Sequence, residues 1–167
     1  MRLLLLRHFP VLAEPGLCYG RLDLPAEERT LATLQTLTGL PVFSSPAHRC
    51  LQLAQTLHPD PAMWPELQEL DFGSWEGLRW DDIERAQIDA WAANIWHYRA
   101  GGGESAAMLR ERWRCAVQKW RESRLEAAIV ITHAGIIRMA LAEQGLITEE
   151  ARWNHPIAHG QIYEIEI

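Results

Sequence analysis

The sequence predicts an α/β fold, a single three-layer domain whose mostly parallel sheet carries helices on both faces. Three observations predict it. Two apolar runs, Leu3 to Leu6 and Ala127 to Thr132, are too short for core helices and too continuous for half-exposed strands. Each run ends in polar residues, Arg7-His8 and His133-Ala-Gly135. Between them the spacing is helical. A chain of 167 residues has interior enough to fold without cross-links, and no repeat, low-complexity tract or linker divides residues 1–167.

The elements follow in order. Phe9-Pro10 stops the first strand, and Val11 to Arg29 reads as a long loop whose turns expose Cys18 to Asp23. Leu31, Leu34 and Leu37 recur at helical spacing, Gly39 is a stop, and Pro41 to Ser45 is a second short strand. Ser45-Pro46 opens the next helix, with Ser45 as cap and Pro46 in the first turn. That helix runs through Leu51, Ala54 and Leu57 and ends before Pro59. Leu67 to Gly77 breaks both periodicities and reads as an irregular loop with acidic residues free to point at something. Trp80 to Tyr98 has the spacing of one or two amphipathic helices, and residues 78–103 form a Trp-rich helical insertion closed by Gly101-Gly-Gly103. Its rings are expected to bury area rather than to stack on substrate. A helix from Ser105 to about Arg121 turns Met108, Leu109, Trp113, Val117 and Trp120 inward. After Ala127 to Thr132 comes a helix from Ile136 to about Glu143, and Gln161 to Ile167 alternates as an edge strand does.

Composition excludes several classes. Cys18, Cys50 and Cys115 are an odd number with no C-x-x-C pair, against a disulfide framework or a thiolate zinc site and in favour of a reducing cytoplasm. Cys50 and Cys115 are expected to be buried packing. Leu3 to Leu6 is shorter than a signal-peptide core, and no run approaches a membrane span. The formal net charge of -6 disfavours nucleic acid and anionic lipid as partners, so an anionic substrate must be caught by clustered Arg and His. No His or carboxylate pair has helix-face ligand spacing, so no metal or other cofactor is expected.

In a parallel sheet, the strand ends carrying Arg7-His8, Ser44 to Arg49 and His133-Ala-Gly135 open onto one edge, where ligands bind. An Arg beside a His there can hold an anion while the imidazole attacks or shuttles protons. Taken with Leu67-Gln-Glu69, Gly73, Glu76-Gly77 and Gly103-Glu-Ser105, these residues occur in the order of the histidine phosphatase superfamily's motifs. The chain resembles that superfamily, the phosphoglycerate-mutase-like proteins, from residue 2 to about residue 140.

The resemblance implies a metal-independent phosphomonoesterase working through phosphohistidine on a small phosphorylated metabolite. His8 would be the nucleophile. Arg7, Arg49 and His133 would surround the phosphoryl group, guanidinium forks and an imidazolium taking the place of a metal's charge. The same positive charges would lower the pKa of His8 and keep it neutral for attack. Glu69 would be general acid and then base, with Asp71 and Glu76 as rivals. Glu104 and His159 would lie near the substrate. His48, His58, His97 and His155 read as surface or structural.

Phe9 stands where the family usually has glycine. The chain also lacks the long insertion and tail typical of cofactor-dependent phosphoglycerate mutases, which favours hydrolysis over transfer. Cys18-Tyr-Gly-Arg-Leu-Asp-Leu-Pro25 looks most like a segment of α-ribazole phosphatases of cobalamin nucleotide-loop synthesis. That likeness puts Arg21, with Tyr19, beside an α-ribazole 5′-phosphate substrate. The alternatives are mutase-type phosphoryl transfer and a non-catalytic phospholigand-binding module of the same fold. The sequence leaves monomer and homodimer both open.

Overall fold

The computed structural model describes residues 1–29 and 39–167. The helix expected from Leu31, Leu34 and Leu37 lies outside the described residues. Strands β1 (Arg2–Arg7), β2 (Val42–Ser44), β3 (Ala62–Met63), β4 (Ala127–Thr132) and β5 (Ile162–Glu166) form one sheet in the order β3-β2-β4-β1-β5. β1, β2, β3 and β4 are parallel, and β5 runs antiparallel along β1. The helices are α1 (His48–Leu57), α2 (Arg85–Ala93), α3 (Ala106–Glu122) and α4 (Ala134–Glu143).

Alternation along the strands builds two cores. Leu3 and Leu5 of β1, with Ala128 and Val130 of β4, face Leu109, Trp113 and Ile137 of α3 and α4. Leu4 and Leu6, with Ile129 and Ile131, face Cys50, Leu53 and Ala54 of α1. Successive side chains leave opposite faces of a strand, so a run apolar at every position serves helices on both sides, as its continuity predicts. β5 alternates as expected, with Ile165 buried and Glu164 and Glu166 exposed. No helix among the described residues is long and apolar enough to cross a membrane.

A third, smaller cluster gathers Cys18, Trp75, Ile83 and Ala100, with Phe72, Trp80, Ile88, Trp91 and Tyr98 packed against it. Trp80 and Trp91 stack with centroids 5.9 Å apart, and Trp75 meets Trp91 edge-on at 5.9 Å. These rings bury one another, as their spacing predicts.

Several expectations need correction. Cys18 is buried in this cluster rather than exposed, and Cys115 is exposed rather than buried. Met108 is 41% exposed, because α3 turns Leu109 and Trp113 inward and leaves position 108 on its outer side. Ala47, not Ser45, occupies the N-cap of α1. The Leu67 to Gly77 stretch follows a 3₁₀ turn at Pro65–Leu67 and contains another at Gly73–Trp75, while β3 is too short to show in the sequence.

Candidate active site

Register brings the two histidines to one height. Arg7 of β1 pairs with Thr132 of β4, so His8 and His133 are the next residues of adjacent parallel strands. β2 joins them through Ser44, which pairs with Ile131, and Ser45 follows. The rings of His8 and His133 lie 5.2 Å apart, and His159 places its ring 5.5 Å from His8 on the other side.

His8 is 2% exposed, and its Nδ1 lies 2.6 Å from the carbonyl oxygen of Phe9. A carbonyl can only accept, so the proton is on Nδ1 and the Nε2 lone pair is free. Nε2 has no hydrogen-bond partner among the described residues. The His8 pKa is lowered to about 3, first by burial, against the Phe9 carbonyl, and then by Arg49, Arg7 and His159. The charges expected to keep His8 neutral thus act second to desolvation.

Arg49 is 1% exposed and donates to the carbonyls of Leu22 (2.9 Å) and Gly20, with Tyr19 stacked 5.5 Å from its guanidinium carbon. It also reaches His133 Nδ1 at 3.3 Å. Guanidinium only donates, so His133 Nδ1 accepts and Nε2–H donates to Ser45 Oγ at 2.8 Å. The same Oγ accepts from Ala47 N–H at 3.3 Å. Ser45 therefore orients a site histidine rather than capping α1. Burial first, then His8 and the arginines, holds the His133 pKa well below 6.5. A neutral His133 replaces the imidazolium expected there. Arg7 donates to Ile157 O at 2.8 Å, and Arg7, Arg21 and Arg49 each keep a buried Nε–H without a partner in the structure.

Glu69 lines a cleft of about 110 Å³ together with Gly20, Arg21, Asp23, Gln68 and His133. One carboxylate oxygen accepts from Leu70 N–H and the other from Gly135 N–H, both at 2.9 Å. A Cβ at position 135 would fall 2.1 Å from Glu69 Oε1, so any larger residue in the His-x-Gly motif would displace the carboxylate packed on it. The cleft, roughly four waters in size, suits a phosphoryl group. Among the described residues no group of three His, Cys, Asp or Glu side chains is placed to hold a metal ion.

A family model described as histidine phosphatase superfamily (branch 1) matches residues 16–167. The chain belongs to this superfamily. The match begins after Arg7-His8 and so does not include those two residues. The chain is 34% identical over 113 residues to the Caenorhabditis elegans 6-phosphofructo-2-kinase/fructose-2,6-bisphosphatase, covering 65% of this chain and 24% of that protein. It spans about a quarter of the length of the curated relatives it matches. The fold resembles the α-ribazole phosphatase of Shigella flexneri, with a TM-score of 0.82 at 24% identity over 100% of this chain and 91% of that one. A phosphoglycerate mutase structure from Thermus thermophilus matches with a TM-score of 0.67 at 30% identity, covering 87% and 85%.

The other candidate residues of this superfamily member are not all alike. Arg21 reaches the cleft but is tied to Glu104 at 2.8 Å and lies 3.5 Å from Asp71. Glu104 itself is occupied by structure. It takes two bonds from Arg112 at 2.8 Å, one from Arg21 and one from Asp71 N–H. Burial pushes its carboxyl up, and Arg112 and Arg21 more than offset that, leaving it below the usual carboxylate range. Tyr19 touches the site through Arg49. His159 bonds through Nδ1 to the His8 carbonyl at 2.6 Å, with a pKa lowered chiefly by burial. His48, His58 and His97 are exposed and His155 is half-buried.

Arg112 is a site residue that sequence reasoning misses. It donates to the carbonyls of Glu66, Gln68 and Glu69 and so holds the strand of backbone that carries the Glu69 carboxyl. Its only sequence signal is a cation on the inner side of a helix eight residues after Glu104.

Proposed function

We propose that this chain is a metal-independent phosphomonoesterase that hydrolyses a small phosphorylated metabolite through a phosphohistidine at His8. The observation that carries the reading is the 2.6 Å contact of His8 Nδ1 with the Phe9 carbonyl, which fixes a neutral tautomer and presents Nε2 as nucleophile. Nε2 attacks phosphorus as the bond to the alcohol oxygen breaks, and Glu69 gives its carboxyl proton to that oxygen. Positive charge left on the imidazole is shared with the Phe9 carbonyl through Nδ1–H. Water then attacks phosphorus, Glu69 takes its proton, and the P–N bond breaks to restore neutral His8. Arg7 and Arg49 supply fixed positive charge for the phosphoryl oxygens, and neutral His133 braces the Arg49 guanidinium through Nδ1.

Within that reaction, α-ribazole 5′-phosphate is the substrate we would test first, supported by the Cys18 to Pro25 segment that sets Gly20 and Arg21 on the cleft wall. Fructose 2,6-bisphosphate is the second, on the identity to the bisphosphatase relatives. Three unpaired thiols suit a cytoplasmic setting. Residues 78–103 would be a structural annex whose tryptophans brace the loop bearing Glu76.

The test combines metabolite screening with rapid quenching. Purified protein should release phosphate equally with and without chelator, and labelled substrate should trap an acid-labile, alkali-stable phosphoprotein that His8→Ala fails to form. Turnover in His8→Ala, or loss on chelation with recovery by a divalent ion, would overturn the reading. A phosphoprotein that passes its phosphoryl group to a second metabolite oxygen in preference to water would establish the mutase instead. No turnover of any metabolite, with tight phospholigand binding, would mark a binding module.

A further inference from the structure

Away from the histidines, α3 passes the end of α4 beside a cleft of about 550 Å³ lined by Arg110, Arg114, Gln118, Arg121, Glu143 and Arg152, among others. None of these lines the Glu69 cleft. Positions 110, 114, 118 and 121 recur at helical spacing, so their side chains leave α3 along one stripe about 16 Å long.

Arg152 decides what the cleft is for. It is 1% exposed, and its Nε–H has no partner among the described residues. One terminal nitrogen donates to the thioether of Met139 at 3.1 Å, a weak acceptor, and the other pairs with Glu149, which is 62% exposed. Its guanidinium also lies 4.8 Å from the Trp96 ring centre, and Arg110 lies 4.7 Å from the same ring. Two cations over one indole repel each other, and burying a guanidinium against a sulfur atom leaves its charge poorly compensated. Glu143 is already paired with Arg114 at 2.8 Å. Four arginines therefore meet only two glutamates here, in a chain whose formal net charge is -6.

We propose that this groove is a second anion site, which takes a small polyphosphate. Arginine forks spaced along a helix suit a chain of phosphoryl groups, each able to accept two parallel bonds, better than they suit one compact anion. The ligand would lie between Arg121 at one end and the Arg110–Arg152 pair at the other and relieve the repulsion over Trp96.

Titration calorimetry with inorganic tripolyphosphate tests this on the full chain carrying Arg7→Gln and His8→Ala, which removes turnover and one cation of the phosphatase site. Saturable binding with a stoichiometry of one is expected. Adding Arg110→Gln and Arg121→Gln should weaken it about tenfold or more, the worth of one good charge-assisted contact. Arg121→Glu should weaken it similarly. That side chain is exposed and forms no ion pair among the described residues, so in the otherwise unaltered protein this substitution should leave the urea midpoint and p-nitrophenyl phosphate turnover unchanged. Absence of saturable binding, or equal affinity with and without the groove substitutions, overturns the proposal.

Discussion

A carboxylate's possible roles follow from what its two oxygens already touch. Glu76 accepts four backbone N–H groups, from Gly20, Arg21, Leu22 and Phe72, and has no lone pair to spare for a leaving group. Asp71 accepts from Gly73 N–H and faces Arg21. Glu69 is held by only two N–H groups and opens onto the cleft beside His133. It is therefore the group we propose to deliver a proton, and the need for that proton depends on the leaving group. A sugar alkoxide needs protonation as it departs, whereas a nitrophenolate leaves readily. In single turnover, Glu69→Gln should slow phosphorylation by an alkyl phosphate about 10²–10⁴-fold and by p-nitrophenyl phosphate far less. Equal losses with both substrates, or the same dependence in Asp71→Asn, would remove Glu69 from the role.

At the scale of elements, the site depends on a loop that is itself neither helix nor strand. Glu76 gathers the backbone of residues 20–22, and Arg49 bonds the carbonyls of Gly20 and Leu22 from the opposite side. A Cβ on Gly20 would fall 1.8 Å from Leu70 O, so no larger residue lets the two loops pass. Glu76→Gln should lower the free energy of urea unfolding by about 2–3 kcal/mol, because the amide cannot accept from four donors. It should also raise KM with no leaving-group dependence, which separates a loop clamp from a general acid. Much of the histidine and arginine constellation was legible in the sequence, since strand ends and helix starts announce themselves in short motifs. The loop contacts were not. Arg112 and Ser45 act through backbone carbonyls and a histidine ring that sequence spacing brings nowhere near them, and Glu104 looks like a substrate ligand until its two arginine partners are placed.

The whole molecule carries a cost of keeping histidines neutral inside. Unfolded, His8 and His133 take up protons near pH 6.5, while folded His8 resists until about pH 3 and His133 is held well below its usual value. Below pH 6.5 the unfolded state thus binds more protons, and stability falls as pH falls. The loss should be on the order of 2 kcal/mol at pH 5 from His8, with His133 adding in the same direction, read from urea midpoints at pH 7.5 and pH 5. His8→Asn should flatten the dependence, and an unchanged slope would show that its imidazole is not buried neutral. The layered architecture itself was readable because β1 and β4 carry the unbroken apolar runs Leu3 to Leu6 and Ala127 to Ile131. The two-residue β3 and the exposure of Cys115 were not, since they depend on the direction in which neighbouring elements pass.

The pairing of β1 has a further consequence, in the time domain. Arg2 lies opposite Ala127 on one side and Glu166 on the other, so four consecutive leucines have both neighbours more than a hundred residues further along the chain. During synthesis this strand emerges more than a hundred residues before the strands that cover either edge. Contacts of such separation form slowly, and an unpaired apolar strand is a template for association with other chains. His8 and His133 meet only when β1 and β4 align, so one of these late pairings is also the one that assembles the candidate site.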